Sequence, residues 1–455
     1  MIKTYQQFLD DKRIVDHPSG FEPESLNKNL FDFQRDIVRW GLRRGRAAFF
    51  EDCGLGKTPQ QLAWADEALR KINRPILILA PNEVKKQTIR EGVKFGVEVR
   101  LAASQSDITR RAIYITNYEK LHRFDASLFG AVVLDESSIL KSYDGATRDL
   151  IITSFIRTPY KLACTATPAP NDFMELGNHA EFLGVMSRTE MLATFFVHDG
   201  GDTAKWRLKG HAQDDFWKWM SSWAVNIRRP SDLNYDDKGF KLPKLNMFEH
   251  VVESNQKMDG YLFALPASSL QERRTARKES KSERIQKAVE LATDDQWVYW
   301  CNLNSESEII AKELDAVELR GSTSEEEREE IAQGFISGQI NRVVTKPSLW
   351  GYGLNLQCCQ NTALVGLSDS YEEFYQLIRR FWRFGQKKEV NAHIIISALE
   401  GAVLANIHRK DSDAQKMASE MVRHMADISS VEIKGLSKET ITYNPQQKLI
   451  LPKFL

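Results

Sequence analysis

Long apolar runs are missing from this chain. No stretch of about 18 consecutive apolar residues occurs in it, so no segment reads as a membrane-spanning helix and no membrane partner is expected. The opening MIKTYQQFLDDKRIVD is polar and charged, without the apolar centre of a signal peptide. Cysteine is scarce. The five cysteines stand at 53, 164, 301, 358 and 359, none in a C-x-x-C pair and none grouped with histidine at zinc spacing. Reduced, buried thiols in a cytoplasmic protein are therefore expected. Charge of one sign is not in excess either, with 62 basic and 62 acidic residues. Only local patches, not net charge, could favour a nucleic acid. No short-period repeat or low-complexity tract is found.

What is present is alternation. The 455 residues exceed the roughly 250–300 that one core supports, which predicts two domains. Short apolar runs at 47–50, 75–80, 112–116, 131–134 and 161–164 read as buried parallel strands. Amphipathic segments such as 58–72 and 84–95 lie between them and predict covering helices. The alternation stops near residue 171. Residues 173–229 read as helical and aromatic, with Trp206, Trp217, Trp219 and Trp223 expected as packing. A polar stretch, SDLNYDDKGFKLPKL, reads as a connection, and QERRTARKESKSERIQK reads as a solvated charged helix. Strands are expected again at 296–301, 316–319, 342–345, 362–367 and 392–396. The helix before the third of these begins Ser-Thr-Ser-Glu-Glu-Glu, which offers a capping box.

The first chemical motif is FEDCGLGKTPQQL, residues 50–62. A strand before it and a helix after it give the context of a phosphate-binding loop. Backbone N–H groups at Gly54, Leu55 and Gly56 can approach phosphate oxygens, and the helix N-terminus adds partial positive charge. Lys57 is placed to reach the β and γ phosphates and Thr58 to ligate Mg²⁺. The pattern G-x-x-x-x-G-K-[ST] asks for glycine where Glu51 stands. A second apolar strand ends in Asp135-Glu136. Asp135 is placed to hold Mg²⁺ through water and Glu136 to polarise an attacking water. Thr165-Ala166-Thr167-Pro168 follows a strand, where hydroxyls can sense a γ-phosphate, and Gln34 carries an amide able to read adenine. In QLIRRFWRFGQ, Arg380 and Arg383 lie three apart, on one face of a helix if the segment is helical. Presented from a second domain, they would act as arginine fingers.

Taken in order, LFDFQRDIVRW, EDCGLGKT, ILILAPNEVKKQ, ITNYEKL, DESSILK, CTATPAPND, LRGSTSEEER, GYGLNLQ and QLIRRFWRFGQKK resemble the motifs of helicase superfamily two. Within it they are most similar to the Swi/Snf-type DNA translocases, whose phosphate loop also has an acidic residue where Glu51 stands. The resemblance covers roughly residues 28–400 and implies an α/β fold of two tandem RecA-like domains, parallel sheets with helices on both faces and a helical insert between them. The expected organisation is an N-terminal extension (1–29), domain 1 (30–172), the insert (173–235), a linker and charged helix (236–285), domain 2 (286–400) and a helical tail (401–455).

The same resemblance implies ATP and Mg²⁺ in the cleft, with Gly353 added to the nucleotide-binding set. It implies duplex DNA across both domains, touched through its backbone by Asn117, Tyr118, Arg228 and Arg229. A monomer is expected. Three positions depart from the family. Ser138 replaces the histidine of Asp-Glu-Ala-His, Arg379 stands where an acidic residue or glycine is usual, and Lys346–Trp350 replaces an STRAG-like segment. The compact GRAAFFEDCGLGKTPQQLAWA form resembles helicases of phages and prophages. A strand-separating DNA or RNA helicase, a nucleic-acid-binding protein with an inactive ATP site and a metabolic P-loop kinase are the competing readings.

Overall fold

The computed structural model describes residues 18–82, 84–141, 145–170, 172–199, 202–253, 280–350, 354–368 and 370–433. The first sheet contains β1 (Arg46–Glu51), β2 (Ile76–Ala80), β3 (Val99–Leu101), β4 (Ile113–Asn117), β5 (Ala131–Asp135), β6 (Tyr160–Thr165) and β9 (Ala224–Ile227). Their order is β3-β4-β2-β5-β6-β1-β9, and every pairing is parallel. Covered on both faces, these strands are apolar along nearly their whole length. In β1 the pleat sends Ala47 and Phe49 into one apolar cluster and Ala48 and Phe50 into the other. Helices Asp32–Arg44 and Lys57–Lys71 close the first face. The tryptophan-rich helix Gln213–Trp223 closes the second, where Trp217, Trp219 and Trp223 are buried as packing.

The segment read from sequence as a helical insert is more than helical. It contains the antiparallel pair β7 (Phe196–Asp199) and β8 (Asp202–Leu208), and it returns β9 to the first sheet beside β1. At four residues, β9 is too short to leave a period-two signal.

The second sheet contains β10 (Leu245–Val252), β11 (Trp297–Cys301), β12 (Val317–Glu318), β13 (Arg342–Thr345), β14 (Asn361–Val365) and β15 (Val390–Ser397). Its order is β10-β15-β14-β11-β13-β12, again entirely parallel. The edge strand β10 pairs with β15 over eight residues. Its sequence reads as a connection because an edge strand with one open side tolerates Asn, Glu and His.

The charged stretch expected to face solvent is partly a buried anchor, and its residues 271–279 lie outside the described residues. On the helix Lys281–Glu290, Arg284 is fully buried between Glu306 and Glu400, with 3.0 Å to Glu400. The helix Gly401–Ile433, 33 residues and about 50 Å long, then crosses both domains. Among the described residues no helix is long and apolar enough to cross a membrane.

Candidate nucleotide site between the two domains

Strand β1 delivers Glu51 to the C-terminal edge of the first sheet, and the chain then turns into the helix Lys57–Lys71. Gly54 (φ 90°) and Gly56 (φ 82°) make that turn. Neither position has room for a side chain. A Cβ on Gly56 would lie 2.3 Å from Gln34 Nε2, and one on Gly54 would lie 2.8 Å from the backbone nitrogen of Phe384 in the second domain. Gln34 is buried against the loop: its Nε2 donates to the Leu55 carbonyl at 2.7 Å, and its Oε1 accepts from the Phe31 amide at 3.0 Å. The Leu55 side chain belongs to the core beneath. Lys57 Nζ donates to the carbonyls of Glu51 (2.7 Å) and Asp52 (3.3 Å).

Glu51 itself is fully buried. It accepts from Gln60 at 2.7 Å through Oε2, while Oε1 has no partner among the described residues. Burial raises its pKa from 4.5 to about 7 against the opposing pull of Lys57 and Gln60. The folded protein thus holds a proton that the unfolded chain releases between those values. That contribution to stability is complete below about pH 4.5 and is lost as pH rises through about 7. Glu51→Gln removes the titration and keeps an acceptor for Gln60. The variant is expected to gain about 1–3 kcal/mol of stability over the parent at about pH 8 and to match it at about pH 4. Paired thermal melts at the two pH values check this; an equal gain at both would rule out the ionisation as the cause.

The acidic pair sits at the end of β5. Asp135 is buried, and its pKa is raised to about 7 by burial first and then by Glu136. Glu136 adopts φ 55°, a left-handed conformation that costs a residue with a side chain on the order of 1–3 kcal/mol. Its Oε2 is buried with no partner among the described residues. Behind the pair, Ser137 Oγ lies 3.1 Å from His179 Nε2, and burial pushes His179 down to about 4, so its ring is neutral at neutral pH.

The opposite wall is the helix Tyr371–Phe381. Phe374, Leu377, Ile378 and Phe381 pack into the second domain, while Glu372, Tyr375, Gln376, Arg379 and Arg380 form a stripe at helical spacing toward the cleft. Arg380 donates to Gln376 Oε1 at 3.0 Å. Arg383 follows the helix; burial and then the neighbouring Arg380 push it down to about 10, still protonated at neutral pH. Gln34, Gly54, Gly56, Lys57, Thr58, Asp135 and Glu136 from one domain and Arg380 and Arg383 from the other line one cavity of about 380 Å³.

Two of the departures from the family pattern, Arg379 and Ser138, find partners across this cleft. Arg379 Nη2 is 2.9 Å from Asp52 Oδ2, and Tyr375 Oη donates to Asp52 Oδ1 at 2.7 Å. Asp52 Oδ1 also accepts from the Cys53 amide at 2.7 Å, which fixes the carboxylate. The Arg379 guanidinium lies over the Trp382 ring, 4.5 Å from its centroid. Ser138 Oγ donates to Glu372 Oε1 at 2.9 Å, and Lys141 pairs with the other oxygen of Glu372. Asp52, Glu372, Tyr375 and His179 carry no signal as single residues. The pairing of the two domains reveals Asp52, Glu372 and Tyr375, and packing behind the acidic pair reveals His179.

The four residues expected to touch DNA differ in exposure. Tyr118 is a core residue whose hydroxyl donates to the Asp135 carbonyl at 2.6 Å, so it supports the acidic pair from behind. Asn117 is buried beside Asn82. Arg228 donates to Ser419 of the long C-terminal helix at 3.1 Å, and the exposed Arg229 pairs with Asp232. Asn117 and Tyr118 are thus buried, Arg228 is half-buried with Ser419 as a partner, and Arg229 is the exposed one of the four. Gly353 lies outside the described residues.

Two parallel-sheet domains thus share one cavity that the Gly54–Thr58 loop, the acidic pair and the second domain's arginines line together. Residues 280–385 match the family model "Helicase conserved C-terminal domain". The mouse protein "DNA annealing helicase and endonuclease ZRANB3" is 28% identical over 166 residues, 33% of this chain and 15% of that one. An uncharacterized ATP-dependent helicase of Mycoplasma pneumoniae is 26% identical over 214 residues, 40% of this chain and 20% of that one. The chain thus spans a fifth or less of these relatives' own length. The "DNA 3'-5' translocase XPB2" of Sulfurisphaera tokodaii is 20% identical over 395 residues, 84% of each chain. The Sulfolobus solfataricus SWI2/SNF2 ATPase core, solved in complex with dsDNA, aligns over 91% of this chain at 18% identity with a TM-score of 0.42. The second domain thus matches the helicase C-terminal family, and parts of the chain are similar to helicases and to a SWI/SNF-related protein of Xenopus tropicalis, 31% identical over 127 residues, 26% of this chain and 13% of that one.

Proposed function

We propose that this chain is an ATP-dependent DNA translocase that hydrolyses ATP between its two RecA-like domains. The observation that carries the reading is the shared lining of one cavity by Lys57, Asp135, Glu136, Arg380 and Arg383, three residues from one domain and two from the other. The triphosphate would sit against the loop from Gly54 to Thr58. Lys57 would exchange the carbonyls of Glu51 and Asp52 for phosphate oxygens, and Glu136 would orient the attacking water and take its proton. Arg380 and Arg383 would neutralise charge that grows on the γ-phosphoryl group, the kind of preorganised stabilisation that dominates phosphoryl transfer. Gln34 would present the adenine-reading edge only after releasing Leu55.

Thr58 and Asp135 line the cavity together and offer oxygen ligands alone, which suits Mg²⁺ with water and phosphate completing its shell. Among the described residues no cluster of three or more His, Cys, Asp or Glu could hold a metal by itself. Bound there, Mg²⁺ would neutralise phosphate charge. The partner is DNA, held mainly through its phosphates, so binding should be largely sequence-independent and should weaken linearly with salt on logarithmic axes.

The test is ATP turnover alone and with duplex DNA, single-stranded DNA or RNA. Duplex DNA is expected to give the largest increase. Stimulation by RNA alone would overturn the DNA assignment, and a greater response to single strands would favour strand separation over translocation on duplex.

A further inference from the structure

A second cavity, of about 400 Å³, lies between the domains under the C-terminal helix. That volume falls in the range of small-molecule sites, roughly 300–1,000 Å³. It is distinct from the nucleotide cavity but shares a wall with it. Arg379 contributes to both linings, and Asp52, its ion-pair partner, lines the second.

The lining states what would fit. Phe50, Phe374 and Trp382 supply aromatic faces, and Met247, Met417 and Met421 supply polarisable side chains that adapt to flat ligands. Most of the polar lining is already engaged. Asp52 pairs with Arg379, Asp411 accepts from Tyr371 Oη at 2.8 Å, and Arg228 makes an exposed hydrogen bond to the Ser419 hydroxyl. The aromatic and methionine faces between these groups favour a largely apolar ligand over an ion. Two polar atoms are different. Asn226, 6% exposed at the end of β9, has an amide nitrogen with no hydrogen-bond partner among the described residues, and so does the Thr167 hydroxyl. Both residues line this cavity. A buried donor left unmatched is costly, and an acceptor atom on a ligand would relieve it.

We propose that this cavity is a second ligand site for a small, neutral, largely aromatic molecule carrying a hydrogen-bond acceptor such as a carbonyl. Its occupant would bear on Arg379 and Asp52 and so alter how the second domain holds the phosphate loop. The site itself rests on the cavity alone; only its effect on turnover rests on the ATPase reading.

The probe is prodan, a neutral naphthalene ketone whose emission moves to the blue when it leaves water and loses hydrogen bonds to its carbonyl. Titrated into the full chain, it is expected to bind saturably at one site with blue-shifted emission and to change the ATP turnover rate. Ala418→Trp, which fills the cavity from the C-terminal helix, is expected to weaken binding by at least about tenfold, or 1.4 kcal/mol, while basal turnover is kept. Ala414→Leu, a smaller intrusion, should weaken it less and serves if the tryptophan variant does not fold. Asn226→Leu should move the emission of bound dye further to the blue.

Non-saturable binding, or binding that Ala418→Trp and Ala414→Leu both leave unchanged, overturns the site. Binding that both weaken, with ATP turnover unaltered by the dye, overturns the coupling. Site-specific binding to a chain that hydrolyses no ATP would instead overturn the ATPase reading and leave the site standing.

Discussion

Replacing Arg380 and Arg383 together by alanine is expected to lower ATP turnover by about 10³–10⁵-fold, with ATP affinity changed far less. The two side chains enter the nucleotide cavity from the second domain, opposite Lys57 and Glu136. In the ground state the phosphate loop supplies most of the binding contacts, so the loss falls on the charge that develops during transfer. A lysine at either position keeps the charge but not the planar fork, and is expected to recover only part of the rate. Single-turnover hydrolysis alongside fluorescent-nucleotide binding separates the two effects. Turnover that survives the double substitution would make both residues structural, bracing the helix through contacts such as Arg380 to Gln376.

The second large effect is at Glu136. Glu136→Gln keeps the shape and one acceptor but not the base, and turnover is expected to fall by about 10²–10⁴-fold while ATP still binds. The left-handed backbone at this position stays as strained in the glutamine variant as in the parent, so the comparison isolates the carboxylate. Lys57→Ala should differ in kind. It removes the ammonium that holds the loop carbonyls of Glu51 and Asp52, and both affinity and rate are expected to drop. A fully active Glu136→Gln protein would sink the assignment of the base.

Much of this arrangement was legible in the sequence. The five apolar runs of the first half all became strands, because strands covered on both faces must be apolar throughout. That the Gly54–Thr58 loop and the acidic pair meet at one cavity was legible because both follow apolar strands of one parallel sheet and so stand at the same edge of it. Strands β9 and β10 were not, one being four residues long and the other a polar edge. The motif position of Tyr118 implies a DNA contact but says nothing about which way its ring turns; it turns into the core, toward the Asp135 carbonyl. Arg379 and Ser138 looked like defects in a pattern. Each has its partner in the other domain, Asp52 for one and Glu372 for the other, more than 200 positions away along the chain.

The helix Tyr371–Phe381 therefore works as a gauge. Glu372 near one end touches the acidic box, and Arg379 near the other touches the phosphate loop. The seven-residue step between them fixes a span of about 10 Å, which a rigid helix cannot stretch. Both contacts can be made at once only when the two halves of the first domain's site stand at that separation and the second domain meets them at one tilt. Any tilt that frees one end misaligns the other and carries Arg380 with it. In the proposed mechanism closure would be measured by the length of a helix, and the arginines would arrive in register with that measurement.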